Sequence, residues 1–229
     1  MSLHRACVIP GAPLLIPDIA AGSALLDDDL RSDTREVVRA LVTTAQSTGS
    51  TVIVVGTGPQ AGTIDGTWDW APLGVPVRGE GRTGLPLALG IGAWFLDDAG
   101  YDGPRTYVAV AEDTSSAAAV RLGKQLADDD ICLLVVGDGT ACRDLKAPGY
   151  FNARAEDWDM AAAAALATAD TDALIALDPA EARELRAAGR APWQVLAGAA
   201  SGQSRQPMQP RLLRHDARYG VAYLIADWQ

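Results

Sequence analysis

Short, almost wholly apolar runs alternate along this chain with longer stretches in which apolar residues recur every three or four positions. Ala6-Cys7-Val8-Ile9, Thr51 to Val55, Arg105 to Ala111 and Ile131 to Val136 are β-branched or apolar and are bounded by Gly, Pro or Asp, as strands buried on both faces are. Gly220 to Ala226 reads as a further strand. Between them, Asp33-Thr34-Arg35-Glu36 has the form of a helix start with an acid three residues on. Val37, Val38, Leu41, Val42 and Ala45 then make one apolar stripe ending at Gly49. Thr114 or Ser115 caps a second helix carrying Val120, Leu122 and Leu126, and the alanine-rich run from Glu156 to Ala169 has strong helix propensity. Asp178-Pro179 supplies a cap and first-turn proline for a helix ending at Gly189, and Pro192 opens one more. This alternation predicts an α/β fold, a mostly parallel central sheet with helices on both faces. The Gly/Ser/Gln/Pro-rich stretch from Ala200 to Pro210 reads as a mobile loop.

Two of the predicted strands end alike. Val52 to Pro59 and Leu133 to Thr140 each break from an apolar run into Gly-x-Gly, at Gly56-Thr57-Gly58 and Gly137-Asp138-Gly139. In open α/β sheets the crevice outside the carboxyl ends of the strands is the usual ligand site, and glycine there admits close approach of backbone or ligand. The same glycines equally serve tight turns after buried strands. Gly56-x-Gly58-x-x-Ala61 also fits a loose dinucleotide fingerprint, which requires a helix to start in that loop and hold a pyrophosphate on its free amides. Pro59 has no amide proton, and Gly62 to Gly84 shows no helical period. Nucleotide binding is therefore the lesser alternative. That long connection carries Trp68 and Trp70, anchors of either a functional lid or a local core.

Composition narrows the field. The 229 residues, 48% apolar, suffice for one large domain spanning residues 1–229. A formal charge of -10 sets the surface against phosphate backbones, so nucleic acid is not an expected partner. No run approaches the roughly 18 apolar residues of a membrane span, and the start Met1-Ser2-Leu3-His4-Arg5 lacks the regions of a secretory signal. Cys7, Cys132 and Cys142 are odd in number and show no C-x-x-C spacing, against a disulfide framework or structural zinc. A cytoplasmic setting is expected. Motifs of serine hydrolases, zincins, P-loop proteins and kinases are missing. Cys142 as a nucleophile would need a base, and the chain has only His4 and His215, each read as a surface or structural histidine. Asp27-Asp28-Asp29 and Asp128-Asp129-Asp130 read as solvated turns rather than cation sites.

Beyond these local readings, the order of motifs resembles the superfamily of class III extradiol ring-cleavage dioxygenase catalytic subunits, which includes the protocatechuate 4,5-dioxygenase β chain and the Memo-like proteins. The likeness is greatest to its small, alanine-rich actinobacterial branch. It spans about Ala6 to Trp228 and rests on Ile9 to Pro17, Val55 to Pro59, Val136 to Ala141, Ala147-Pro148-Gly149-Tyr150, Ala176 to Pro179, Gly189 to Ala199 and Tyr219 to Tyr223. The resemblance implies the same α/β fold, and in active members a ferrous iron held by two histidines and a carboxylate, with a further histidine as acid/base. Here the two histidine positions fall on Gly11 and Thr57, the acid/base position on Ala141 and the glutamate position on Ala187. None of these can ligate iron through an imidazole or carboxylate, and outer groups cannot replace missing ligands.

The expectation is a metal-free homologue without a resident cofactor. It would bind a small molecule in the vestigial crevice or act as an assembly partner, as a homodimer or with a heteromeric partner. Gly56, Thr57, Gly58, Gly137, Asp138, Thr140, Arg143 and Lys146 are the candidate pocket residues. For Asp138 the alternative is capping of the following turn, and for Arg143 and Lys146 ordinary surface charge. An enzyme of altered chemistry in the same crevice stays open. So does an active dioxygenase with Fe(II), restored by His4, His215 or a partner protein.

Overall fold

The computed structural model describes residues 2–20, 28–75, 84–201 and 208–229. Its strands are β1 (Leu3–Ile9), β2 (Thr51–Thr57), β3 (Gly62–Ile64), β4 (Arg105–Val110), β5 (Ile131–Val136), β6 (Pro210–Asp216) and β7 (Tyr223–Trp228). They form one sheet in the order β3-β4-β2-β5-β1-β7-β6. The four predicted apolar runs are its parallel centre, with β2 between β4 and β5, and β5 between β2 and β1. β3, β7 and β6 add antiparallel flanks.

Side chains alternate across the central strands, so each run feeds two cores. Val8, Val55, Val135 and Leu133 face one layer; Ile9, Val54, Leu134 and Val136 face the other. The first layer holds α4 (Ser116–Leu126), α5 (Ala155–Thr168) and α8 (Arg190–Ser201). The second holds α2 (Asp28–Thr48) and α3 (Leu87–Asp98). Shorter helices α1 (Pro17–Ala20), α6 (Thr171–Ile175) and α7 (Pro179–Glu184) lie on the connections. α4 and α8 meet at their glycines: a Cβ on Gly123 would stand 2.0 Å from the Val195 carbonyl oxygen, and one on Gly198 2.3 Å from that of Val120.

Several elements differ from expectation. α2 starts at Asp28, one turn and more before Asp33, because Asp28 and Asp29 themselves occupy its first turn, where acids complement the free amides. Asp29 is exposed but lies in the helix rather than a turn: Arg214 and Arg218 clamp it, and the Arg218 hydrogen bonds hold its carboxyl far below the usual range. Asp27 lies outside the described residues. The second triplet is an exposed turn, as expected, with Asp130 3.4 Å from the His4 ring and accepting from Ser2. The Ser115 and Asp178 caps form as predicted, accepting from the amides of Ala118 and Glu181. α7 nevertheless ends at Glu184 rather than Gly189, because Arg186 takes a left-handed φ of 54° that no helix continues. α8 begins at Arg190, two residues before Pro192. Of the stretch read as a loop, Ser201 still belongs to α8, Pro210 opens β6, and residues 202–207 lie outside the described residues. Cys7, Cys132 and Cys142 are free and buried.

Candidate functional site at the strand ends

β1, β2 and β5 are parallel and in register through Ile9, Gly56 and Val136. The residues after these three positions therefore emerge on the same rim of the sheet. Gly11, Thr57 and Asp138 are brought together there by topology alone. Asp138 crosses to the neighbouring strand end: its Oδ1 accepts the Gly11 amide at 2.8 Å, and its backbone carbonyl accepts the Gly189 amide at 2.7 Å. Ala141 joins the same rim through its amide, donated to the Leu185 carbonyl. Ala187, nearly buried, lines an open cavity of about 340 Å³ beside it. Of the four positions singled out by the family resemblance, Gly11 and Thr57 follow strands that flank β5, and Ala141 and Ala187 lie on segments bonded to one another just beyond the β5 end.

Asp138 is half-buried. Burial pushes its pKa up to about 7, against the opposing pull of the Gly11 amide. Since an exposed aspartate titrates near 3.9, the folded protein holds this proton longer than the unfolded chain. The resulting stabilisation is complete below about pH 4 and is lost as pH rises towards 7. Asp138→Asn keeps the acceptor for Gly11 and removes the titration. In urea unfolding it should match the wild type near pH 4 and exceed it by a few kcal/mol near pH 8; identical pH profiles would refute the assignment.

Other predicted pocket residues are engaged in structure. A Cβ on Gly56 would meet that of Ala88 at 2.9 Å, one on Gly58 would meet Ala109 at 2.8 Å, and one on Gly137 would meet the Gly189 Cα at 2.6 Å. These three glycines admit α3, β4 and the start of α8 rather than a ligand. Thr140 is fully buried, its hydroxyl and amide both donating to Asp159 at 2.7 and 2.8 Å. Arg143 pairs with that same carboxylate at 3.1 Å and with Glu156. Burial raises the Asp159 pKa while these donors oppose it. Thr140 and Arg143 therefore anchor α5 to the rim, and Lys146 is simply exposed. Thr57 and Asp138 remain the candidates with side chains on the rim.

The dinucleotide expectation fails on geometry. After Thr57 the chain turns into strand β3, not a helix, so the Gly56 loop offers no helix start to a pyrophosphate. Trp68 and Trp70 pack inward. Trp70 is 2% exposed and stacks on Trp68 at 5.6 Å, and both lie against Gly90 of α3. Residues 76–83 of that connection lie outside the described residues.

The histidines do not converge. His4 stands near the start of β1, seven residues before Gly11, which in a strand is about 20 Å from the rim. His215 is on β6, the outermost strand, opposite Leu224. Among the described residues no three His, Cys, Asp or Glu side chains are grouped so as to hold a metal ion, and no helix is long and apolar enough to cross a membrane.

Sequence reasoning overlooked the cavity wall formed by Arg183, Arg186 and Arg190. Its signal was the i, i+3, i+7 spacing of the three arginines around Ala187, dispersed over a helix end, a turn and the next helix start.

No family model and no curated protein matches the chain. Among solved structures it is similar to an uncharacterised protein of Escherichia coli K12, at 15% identity and a TM-score of 0.55, the match covering 98% of this chain and 99% of the other. At that identity the likeness extends to the fold, an α/β sheet flanked by helices, over essentially the whole length of both.

Proposed function

We propose that this chain is a metal-free member of the class III extradiol dioxygenase superfamily whose strand-end crevice binds a small molecule without opening an aromatic ring. The observation that supports this reading is that Gly11 and Thr57 follow parallel, in-register strands on either side of β5, while Ala141 follows β5 itself and bonds to the segment on which Ala187 lines a cavity. Ferrous iron does not fit the side chains present. Glycine, threonine and alanine stand at the three ligand positions, both histidines lie elsewhere, and the rim's Asp138 is committed to the Gly11 amide.

Two measurements test the reading. The wild type with added ferrous iron and a panel of catechols should consume no oxygen above the metal blank; ring-cleaving turnover would refute it. Conversely, Gly11→His with Thr57→His and Ala187→Glu should take up about one equivalent of Co(II), seen by its ligand-field absorption, where the wild type takes up none. A Cβ at Gly11 meets only ordinary contacts, 3.7 Å from the Asp138 Oδ2, so the first of these changes has room. Failure of the triple variant, while folded, to bind cobalt would break the assignment of positions.

A further inference from the structure

Arg190 is 1% exposed, and its guanidinium donates to the carbonyl oxygens of Thr114 and Glu112 and to Gln194 Oε1 at 3.0 Å. All three acceptors are neutral. Buried cations are ordinarily paired with an anion, and this one also sits at the first residue of α8, the positive end of a twelve-residue helix. Burial lowers its pKa, and the charge of Arg183 lowers it further. Asp178 and Asp113 oppose this from a distance, without an ion pair to Arg190.

The same imbalance extends along the cavity wall. Among the described residues Arg183 and Arg186 likewise have no carboxylate partner, although both line the cavity with Arg190. The glutamates of α7 that could neutralise them, Glu181 and Glu184, are both taken by Arg154. Glu112 is the cavity's one acidic neighbour; its side chain is exposed and pairs with none of the three. In a chain of net charge -10, nine other described arginines are ion-paired: Arg5, Arg31, Arg35, Arg105, Arg143, Arg154, Arg211, Arg214 and Arg218. Arg39 and Arg121 are unpaired and exposed, as Arg183 and Arg186 are, but do not line this cavity. Arg186 adds a backbone argument. Its φ of 54°, shared in kind by Tyr150, Ala169 and Tyr219, is one that glycine adopts freely and an arginine adopts at a cost, so glycine can remove this charge without straining the backbone.

We propose that this cavity is an oxyanion site, in which Arg183, Arg186 and Arg190 bind the carboxylate or phosphate group of a small molecule. The assignment rests on the small-molecule reading of the rim and specifies its ligand class. Guanidinium groups are the natural partner of such a group, since their forked N–H donors match its oxygens. The cavity of about 340 Å³ takes a small metabolite, not a macromolecule.

The test is calorimetric titration at low ionic strength with inorganic phosphate and with malonate, using the wild type, Arg186→Gly, Arg183→Gln and Ala188→Phe. Arg186→Gly relieves the backbone, so its thermal midpoint should equal or exceed that of the wild type. At least one probe should bind the wild type saturably, and each arginine variant should weaken it on the order of tenfold, the loss of one charge-assisted contact. Phosphate binding alone would assign a phosphate ligand and malonate alone a carboxylate. No saturable binding of either probe, or binding unchanged in both arginine variants, overturns the proposal. Native mass spectrometry of freshly purified protein separates the two levels. A neutral molecule lost in Ala188→Phe but kept in the arginine variants would leave the crevice reading standing and remove the oxyanion. No bound molecule and no probe binding would remove both.

Discussion

Gly123→Ala should destabilise the protein by about 3–5 kcal/mol in urea unfolding, although alanine in a helix interior ordinarily gains about 1 kcal/mol over glycine. The added methyl would stand 2.0 Å from the Val195 carbonyl oxygen and 2.7 Å from the Ala199 amide nitrogen. Both are backbone atoms of α8, so no rotamer change makes room, and α4 must separate from its partner. Ala119 of α4 and Val195 of α8, buried in the same layer, would lose close packing. Gly198→Ala, blocked by the Val120 backbone at 2.3 Å, should behave alike. Because helix propensity and close packing predict opposite signs here, a neutral or stabilising result at Gly123 would show that the two helices do not approach as described.

Asp227→Ala should cost a comparable 3–5 kcal/mol by leaving a buried guanidinium unpaired. Arg5 on β1 donates Nε to Asp227 Oδ1 at 2.8 Å and Nη2 to Oδ2 at 2.5 Å, with the residues 8% and 5% exposed. The pair bridges adjacent antiparallel strands inside the sheet, with Cys7 3.5 Å from the same carboxylate. Replacing both at once, Arg5→Met with Asp227→Leu, should recover most of the loss, since two apolar groups leave no charge to satisfy. A double variant as unstable as Asp227→Ala would mean that the ion pair itself, rather than the orphaned charge, supplies the stability.

The helices and strands that could be read from the chain are those whose pattern has one physical cause. β5 and the middle of β2 are buried on both faces and apolar, as are the later halves of β1 and β4; α2 and α5 have a clear stripe or strong propensity. α3 escaped because Leu87–Asp98 is almost wholly apolar and carries Gly90 and Gly92, which tertiary packing needs: a Cβ on Gly92 would lie 2.5 Å from Val54. β6 escaped because an edge strand opening on Pro210 and carrying Arg211, Arg214 and His215 has no buried face to betray it. At the site, the rim followed from parallel strands ending in glycine, but the partners of its residues did not. Asp159 lies nineteen residues beyond Thr140, and nothing local marks it as the group that would claim both Thr140 and Arg143. The arginine wall was hidden for a related reason, since what distinguishes it is that, among the described residues, its neighbouring carboxylates pair elsewhere or not at all.

The borders of the sheet bear on how copies of this chain can associate. One border is β3, three residues long. The other is β6, whose Arg211 and Arg214 reach back to Glu36, Asp29 and Asp33 of α2. Short strands, a leading proline and charged side chains are what keep neighbouring molecules from extending one another's hydrogen-bond ladders. Any homodimer or mixed complex is accordingly expected to form through helices or loops, and partly unfolded chains meeting at high concentration gain little from joining end strand to end strand.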